Sequence, residues 1–183
     1  MTIRVVSSRP AIAARLDGPV HAVVLADTHI GFRGARRLPD RVYEALTSAD
    51  VVLHAGDVLV SAVLDELAGF APVHAVLGNN DRDLFGVLPE TVEVELGGVR
   101  VGMIHDSGPR TGREARLRRR FPDADVVVFG HSHIPWDAEG LDGQRLLHPG
   151  SPTERRRQPH KTMATMDLAD GRVLATRIVV VDD

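Results

Sequence analysis

The chain has 183 residues with 43% hydrophobic composition and a formal net charge of −3. That length suits one domain with a real core, and the weak negative charge argues against a globally basic nucleic-acid or membrane-surface binder. There is no cysteine, which excludes disulfides and thiolate metal sites, and the single lysine is Lys161.

The N-terminal stretch is interrupted by Arg4, Arg9 and Arg15, so it lacks the apolar core of a signal peptide. No run is long enough to span a bilayer, and a cytoplasmic location is expected. Ile3 to Val6 reads as a short strand and Ala11 to Leu16 as a helical turn. Residues 1–19 as a whole form an extension of unclear role to one domain covering 1–183. Asp17-Gly18-Pro19 signals a turn.

Val20 to Ala26 is an apolar strand ending at Asp27-Thr28-His29, with Gly31 and Gly34 marking a loop. Leu38 to Ala49 has helical spacing at Leu38, Val42, Ala45 and Leu46. Val51 to Ala55 is a second strand, ending at Gly56-Asp57. Ser61 is placed to cap a short helix that stops at Gly69. Val73 to Leu77 is a third strand, ending at Gly78-Asn79-Asn80-Asp81.

The pattern then changes. Thr91 to Leu96 and Val99 to Ile104 flank Gly97-Gly98 as a hairpin, and the second run ends at His105-Asp106. Arg113 to Arg120 reads as a basic helix with Ala115 and Leu117 as its apolar contacts. Asp125 to Phe129 is a buried strand leading into Gly130-His131-Ser132-His133. Gln144 to Leu147, Lys161 to Leu168 and Arg172 to Val181 read as antiparallel strands. A β-α-β-α-β half followed by a mostly β half predicts a layered α/β sandwich, with a parallel sheet against a mixed or antiparallel one.

Five of these strands finish, in order, at Asp27/His29, Asp57, Asn79, His105 and His131/His133. Ligands of open α/β sheets bind at the carboxyl ends of strands. Each position alone is more simply a cap or a turn residue; the set of seven is not. Two aspartates, one amide and four histidines make an oxygen/nitrogen site suited to Mn²⁺, Fe²⁺, Ni²⁺ or Zn²⁺ and too rich in histidine for Ca²⁺. Seven donors exceed one ion and suit two sharing a bridge, with Asp57 as the natural bridge. Two ions about 3.5–4 Å apart can hold a hydroxide for in-line attack on phosphorus.

The ordered set Asp27-x-His29, Gly56-Asp57, Gly78-Asn79, His105 and Gly130-His131-x-His133 resembles the calcineurin-like metallophosphoesterase superfamily, in its small single-domain phosphodiesterase branch. The resemblance runs from about Val20 to Ser151. It implies an α-β-β-α sandwich of two mixed sheets flanked by helices. It also implies one metal on Asp27, His29, Asp57 and His133, and a second on Asp57, Asn79, His105 and His131. Mn²⁺ is the expected ion, and Asp57, Asn79 and His131 take the catalytic roles. His148-Pro149-Gly150-Ser151 is similar to the family's Asn-Pro-Gly-Ser turn, with histidine in place of asparagine.

Many members carry a histidine acid after the ligand asparagine; here that position is Asn80, which cannot act as an acid. A small phosphodiester with a good leaving group is therefore the expected substrate. A phosphomonoester and a polynucleotide are less favoured, and no membrane partner is expected. The rival reading is a non-catalytic, metal-binding interaction scaffold of the same fold. Asp81 is expected to hydrogen-bond a ligand histidine. His54 and His74 are expected in the core, and His21 and His160 at the surface. His148 is read as either a pocket or a turn residue. The arginines of 113–120 and 155–157 are read as solvated surface or as phosphate contacts.

Overall fold

The computed structural model describes residues 12–31 and 37–182. Eleven strands and three α-helices are defined there. In chain order they are β1 (Ala14–Leu16), β2 (Val20–Leu25), α1 (Asp40–Leu46), β3 (Val51–His54), α2 (Ser61–Ala68), β4 (Val73–Ala75), β5 (Thr91–Leu96), β6 (Val99–Ile104), α3 (Arg113–Arg120), β7 (Val126–Phe129), β8 (Trp136–Glu139), β9 (Arg145–His148), β10 (Thr162–Ala169) and β11 (Arg172–Val180). They form a five-stranded sheet, β11-β10-β2-β3-β4, and a six-stranded sheet, β1-β5-β6-β7-β9-β8.

Both sheets are mixed. In the first, β2, β3 and β4 are parallel and β10 runs against β2. In the second, β6, β7 and β9 are parallel, β5 runs antiparallel to β6 but parallel to β1, and β8 runs antiparallel to β9. Strand β2 is apolar throughout except for His21, and its period-2 alternation explains why it must be. Val20, Ala22 and Val24 join the core between the sheets, with Val94, Val101, Val128 and Met166. Val23 and Leu25 point the other way, into a second core with Val42 and Leu46 of α1 and Val63 and Leu67 of α2. A third core lies on the outer face of the six-stranded sheet, where Leu117 and Phe121 meet Val127, Phe129 and Leu146. The layers are thus helix, sheet, sheet, helix, as the resemblance implied.

Several local expectations are corrected. Ala14–Leu16 is a strand paired in parallel with β5 and not a helical turn; its three residues are too few to show a period. Ile3 to Val6 lies outside the described residues, as does Gly34. Ser61 is the first residue of α2 and makes no cap hydrogen bond; Val60 holds the N-cap position. Ala115 is exposed, leaving Leu117 as the buried residue of α3. The chain after Phe129 is not simply antiparallel, since β9 runs parallel to β7 and an unexpected edge strand, β8, covers it.

Candidate metal centre

All seven expected donors converge above the carboxyl ends of β2, β3, β4, β6 and β7. Asp57 sits in the middle, almost fully buried. Its Oδ2 lies 3.4 Å from His29 Nε2 and its Oδ1 3.5 Å from His105 Nε2, so each carboxylate oxygen faces a different half of the site. On the first side, His29 Nε2 is 3.2 Å from His133 Nε2, and His133 Nε2 is 3.7 Å from Asp27 Oδ1. On the second, Asn79 Oδ1 is 2.9 Å from His105 Nε2 and 2.8 Å from His131 Nδ1. Asp27, His29 and His133 form one group of clustered donor atoms, and Asp27, Asp57 and His105 another.

The backbone is bent to achieve this. Asp27 (φ 54°), His29 (44°), Asp57 (59°), His131 (75°) and His133 (59°) all lie in the left-handed region. Asp and His are among the residues that tolerate it best, yet each still carries a conformational cost. The conformations are tied down by neighbouring strand ends: Asp27 N–H donates to Gly56 O at 2.9 Å and His29 N–H to Asp57 O at 3.0 Å. Asp27 Oδ1 in turn accepts from His131 N–H at 3.0 Å. At Gly78, a Cβ would lie 2.1 Å from Asp57 N, so only glycine lets β4 reach the site.

The hydrogen bonds behind the donors fix which atoms face inward. His105 Nδ1–H donates to Ala55 O at 2.7 Å, and His133 Nδ1–H to Glu154 O at 2.7 Å. Each neutral ring then presents a bare Nε2 lone pair to the site. Burial pushes His133 down to about 4 and lowers His105, so both rings are neutral at pH 7. Burial, reinforced by the Asp57 charge, raises Asp27 to about 8. Burial also acts to raise Asp57, but His105 and two hydrogen bonds from Asn80 hold its carboxyl below the usual range.

These features fit a cation. His105 Nε2 and Asn79 Oδ1 are two acceptor atoms facing one another at hydrogen-bond distance. Asp27 Oδ2 is buried without a hydrogen-bond partner among the described residues. Lone pairs crowded in this way repel unless positive charge lies among them.

Sequence reasoning missed several supporting residues. Asp81 does not touch a ligand histidine. Its carboxylate accepts from the amides of Asp57 (3.0 Å), Leu59 (2.8 Å) and Gly78 (2.7 Å), and so ties β3 to β4. Asn80 holds Asp57 through both its backbone N–H (2.9 Å) and its Nδ2 (2.7 Å). Ser151 Oγ donates to Asp27 O at 2.7 Å and Thr153 Oγ1 to Thr28 O at 2.6 Å.

Among the remaining histidines, His148 takes the turn role and does not line an open pocket. It is fully buried; its Nδ1 accepts from Gly150 N–H at 2.9 Å, and its Nε2 faces Asp27 Oδ2 at 3.8 Å. His54 is in the core but only half satisfied, by Thr28 Oγ1 at 3.1 Å, with no partner for Nδ1 among the described residues. His74 is half-buried. His21 pairs with Asp167 and His160 with Asp182, nearer the surface.

A two-sheet sandwich with carboxylate, amide and imidazole donors at its strand ends defines a metallophosphoesterase fold. The sequence profile of the calcineurin-like phosphoesterase superfamily domain matches residues 20–171, and the chain belongs to that superfamily. It is 37% identical over 158 residues to a probable metallophosphoesterase of Methanothermobacter thermautotrophicus, covering 85% of this chain and 90% of that relative. Among solved structures it resembles Vacuolar Protein Sorting 29 from Cryptosporidium parvum, with a TM-score of 0.73 and 24% identity over 90% of this chain and 100% of that one. Vps29 from Entamoeba histolytica complexed with Zn²⁺ superposes with a TM-score of 0.66 and 24% identity, over 88% of this chain and 99% of that one. These two likenesses concern the fold. Family and donor clusters together support a metal-dependent phosphoesterase. No described helix is long and apolar enough to cross a membrane.

Proposed function

We propose that this chain is a binuclear metal-dependent phosphodiesterase acting on a small diester. The observation that carries the reading is the placement of Asp57 between two donor sets, with one carboxylate oxygen toward each. Asp27, His29, Asp57 and His133 would hold one ion. Asp57, Asn79, His105 and His131 would hold the other. Mn²⁺ suits this donor set, and Fe²⁺, Ni²⁺ or Zn²⁺ would also be accommodated. When bound, the pair supplies charge neutralisation at phosphorus and a water-derived nucleophile at neutral pH.

The chain's own residues set the geometry. Asn80 fixes the carboxylate plane of Asp57 through two hydrogen bonds. Ala55 O and Glu154 O fix the tautomers of His105 and His133. Asn79 and His131 would face the phosphoryl oxygens beside the bridge, which is the sense in which they and Asp57 are catalytic. Among the described residues, no side chain takes the place of a general acid. Asn80 is an amide engaged with Asp57, and His148 lies buried beneath Asp27. A leaving group that departs without a proton, or takes one from water, favours diesters with good leaving groups over monoesters.

The test is hydrolysis of bis(4-nitrophenyl) phosphate by the Mn²⁺-loaded protein. Asp57→Ala removes a donor from both halves and is expected to lower the rate by more than about 100-fold. Tight Mn²⁺ binding by the wild-type protein without turnover would overturn the enzyme in favour of the scaffold. A preference for polymeric over short diesters would overturn the small-substrate assignment. A cytoplasmic location belongs to the same reading, and detection of the protein in the cytosolic fraction is the corresponding expectation.

A further inference from the structure

Most arginines of the basic segments are already committed. In α3, Arg116 donates to the carbonyls of Ser107, Thr111 and Pro109. Arg118 pairs with Asp142, and Arg120 donates to Thr91. In the other segment, Arg155 donates to Gln158 O at 3.0 Å. Arg119, Arg156 and Arg157 are exposed and make no hydrogen bond or ion pair with the described residues, and of the three only Arg156 has a left-handed backbone.

Its position is not accidental. The segment leading to it is bolted to the metal centre at three points. Ser151 Oγ donates to Asp27 O, Thr153 Oγ1 donates to Thr28 O, and Glu154 O accepts from His133 Nδ1–H. Ser151 Oγ also accepts from Glu154 N–H at 2.9 Å, tightening the turn. Two residues later Arg156 itself takes a left-handed backbone (φ 48°). A non-glycine residue held there costs free energy, and such costs gather where a side chain must be aimed. Arg156 follows two residues after Glu154, whose carbonyl accepts from His133, so the chain itself brings it to that half of the site.

We infer that Arg156 grips the phosphate group of the bound ligand at the Asp27–His133 side of the metal centre. This rests on the phosphodiesterase reading. A diester carries one negative charge, and a guanidinium fork matches two non-bridging oxygens. An exposed cation with no internal partner also loses no interaction on taking one up.

The experiment titrates inorganic phosphate into the full-length, Mn²⁺-loaded protein by calorimetry and measures KM and kcat for bis(4-nitrophenyl) phosphate. Arg156→Ala is expected to raise both the phosphate Kd and KM by about 10-fold or more, with a smaller change in kcat. Arg156→Lys, which keeps the charge but not the fork, should fall between alanine and wild type. Arg157→Ala, the removal of an adjacent positive charge, should stay within about twofold of wild type. All three residue types at 156 carry a Cβ, so the backbone cost is the same in each. Phosphate affinity within twofold of wild type in Arg156→Ala overturns the inference, as does an equal loss in Arg157→Ala. Wild-type protein that binds phosphate through Arg156 yet cleaves no diester would overturn the diesterase reading and leave this inference standing.

Discussion

The two ends of the sheets meet the same demand, a sharp reversal of the backbone, in opposite ways. At the end away from the site the chain turns on Gly18 (φ 77°), Gly97 (57°), Gly98 (80°) and Asp170-Gly171 (51° and 70°). Four of these five left-handed positions hold glycine, which enters that region without a Cβ penalty. The turns also brace each other: Gly171 N–H donates to Gly97 O at 2.8 Å. At the donor end glycine serves at Gly56 (85°), but five further left-handed positions hold aspartate or histidine. Each costs roughly 1–2 kcal/mol relative to a relaxed backbone. One end is built for ease of folding and the other for donor placement, with the strain held by strand-end hydrogen bonds and the buried cores of the sandwich.

The largest expected effect comes from pushing on the strained end. Gly78 is not left-handed, so its glycine serves only close approach; an added Cβ would meet the backbone of Asp57 at 2.1 Å. Backbone cannot yield as a flexible side chain would. Gly78→Ala should therefore cost about 3 kcal/mol or more in chemical denaturation. Gly18→Ala at the relaxed end has nothing within 4 Å of its new Cβ and should cost only about 1 kcal/mol, the left-handed penalty. Equal losses at the two positions would erase the contrast between the ends.

A smaller effect tests what holds the strain. The Asp81 carboxylate gathers three backbone amides from β3, the loop after it and the β4 end. In Asp81→Asn one oxygen becomes an amide donor, and at least one of those N–H groups loses its acceptor. Donors held by such outer contacts typically lose 10–100-fold in metal affinity or activity when the contact goes, and about that loss is expected here in Mn²⁺ affinity. Unchanged affinity would mean that the backbone bends hold themselves.

The same contrast explains what could be read from the residues alone. The seven donors were legible because each follows directly on an apolar run, so strand ends and chemistry coincide in the text. Gly56-Asp57 and Gly130-His131 even mark the sharp turns. The edge strands were not legible: Ala14–Leu16 is too short for a period, and Trp136–Glu139 carries two acids because an edge faces water on one side. His148 is an ordinary turn histidine in sequence, and only the tertiary packing brings its Nε2 under Asp27. In sequence Asp81 reads as a hydrogen-bond partner of a ligand histidine. Its real partners are amides, which no residue letter announces. Left-handed backbone at an aspartate or histidine is equally silent, since those types accept it without requiring it.

The smallest effect has the least intuitive sign. His131 is exposed, lies at φ 75°, and sets Nδ1 against Asn79 Oδ1. Replacing it with glycine removes the left-handed penalty at the cost of one exposed contact with Asn79, while giving the unfolded chain more freedom to lose. The first effect, roughly 1–2 kcal/mol, outweighs the second, roughly 0.5–1 kcal/mol. Metal-free His131→Gly should therefore be more stable than wild type by about 0.5–1 kcal/mol, a rise of about 1–4 °C in Tm for a chain of this size. The same protein should lose Mn²⁺ affinity and diester turnover. A metal-free Tm below that of wild type would show that His131 stabilises the fold rather than taxing it, and the account of donor placement bought against backbone ease would fail at its most exposed residue.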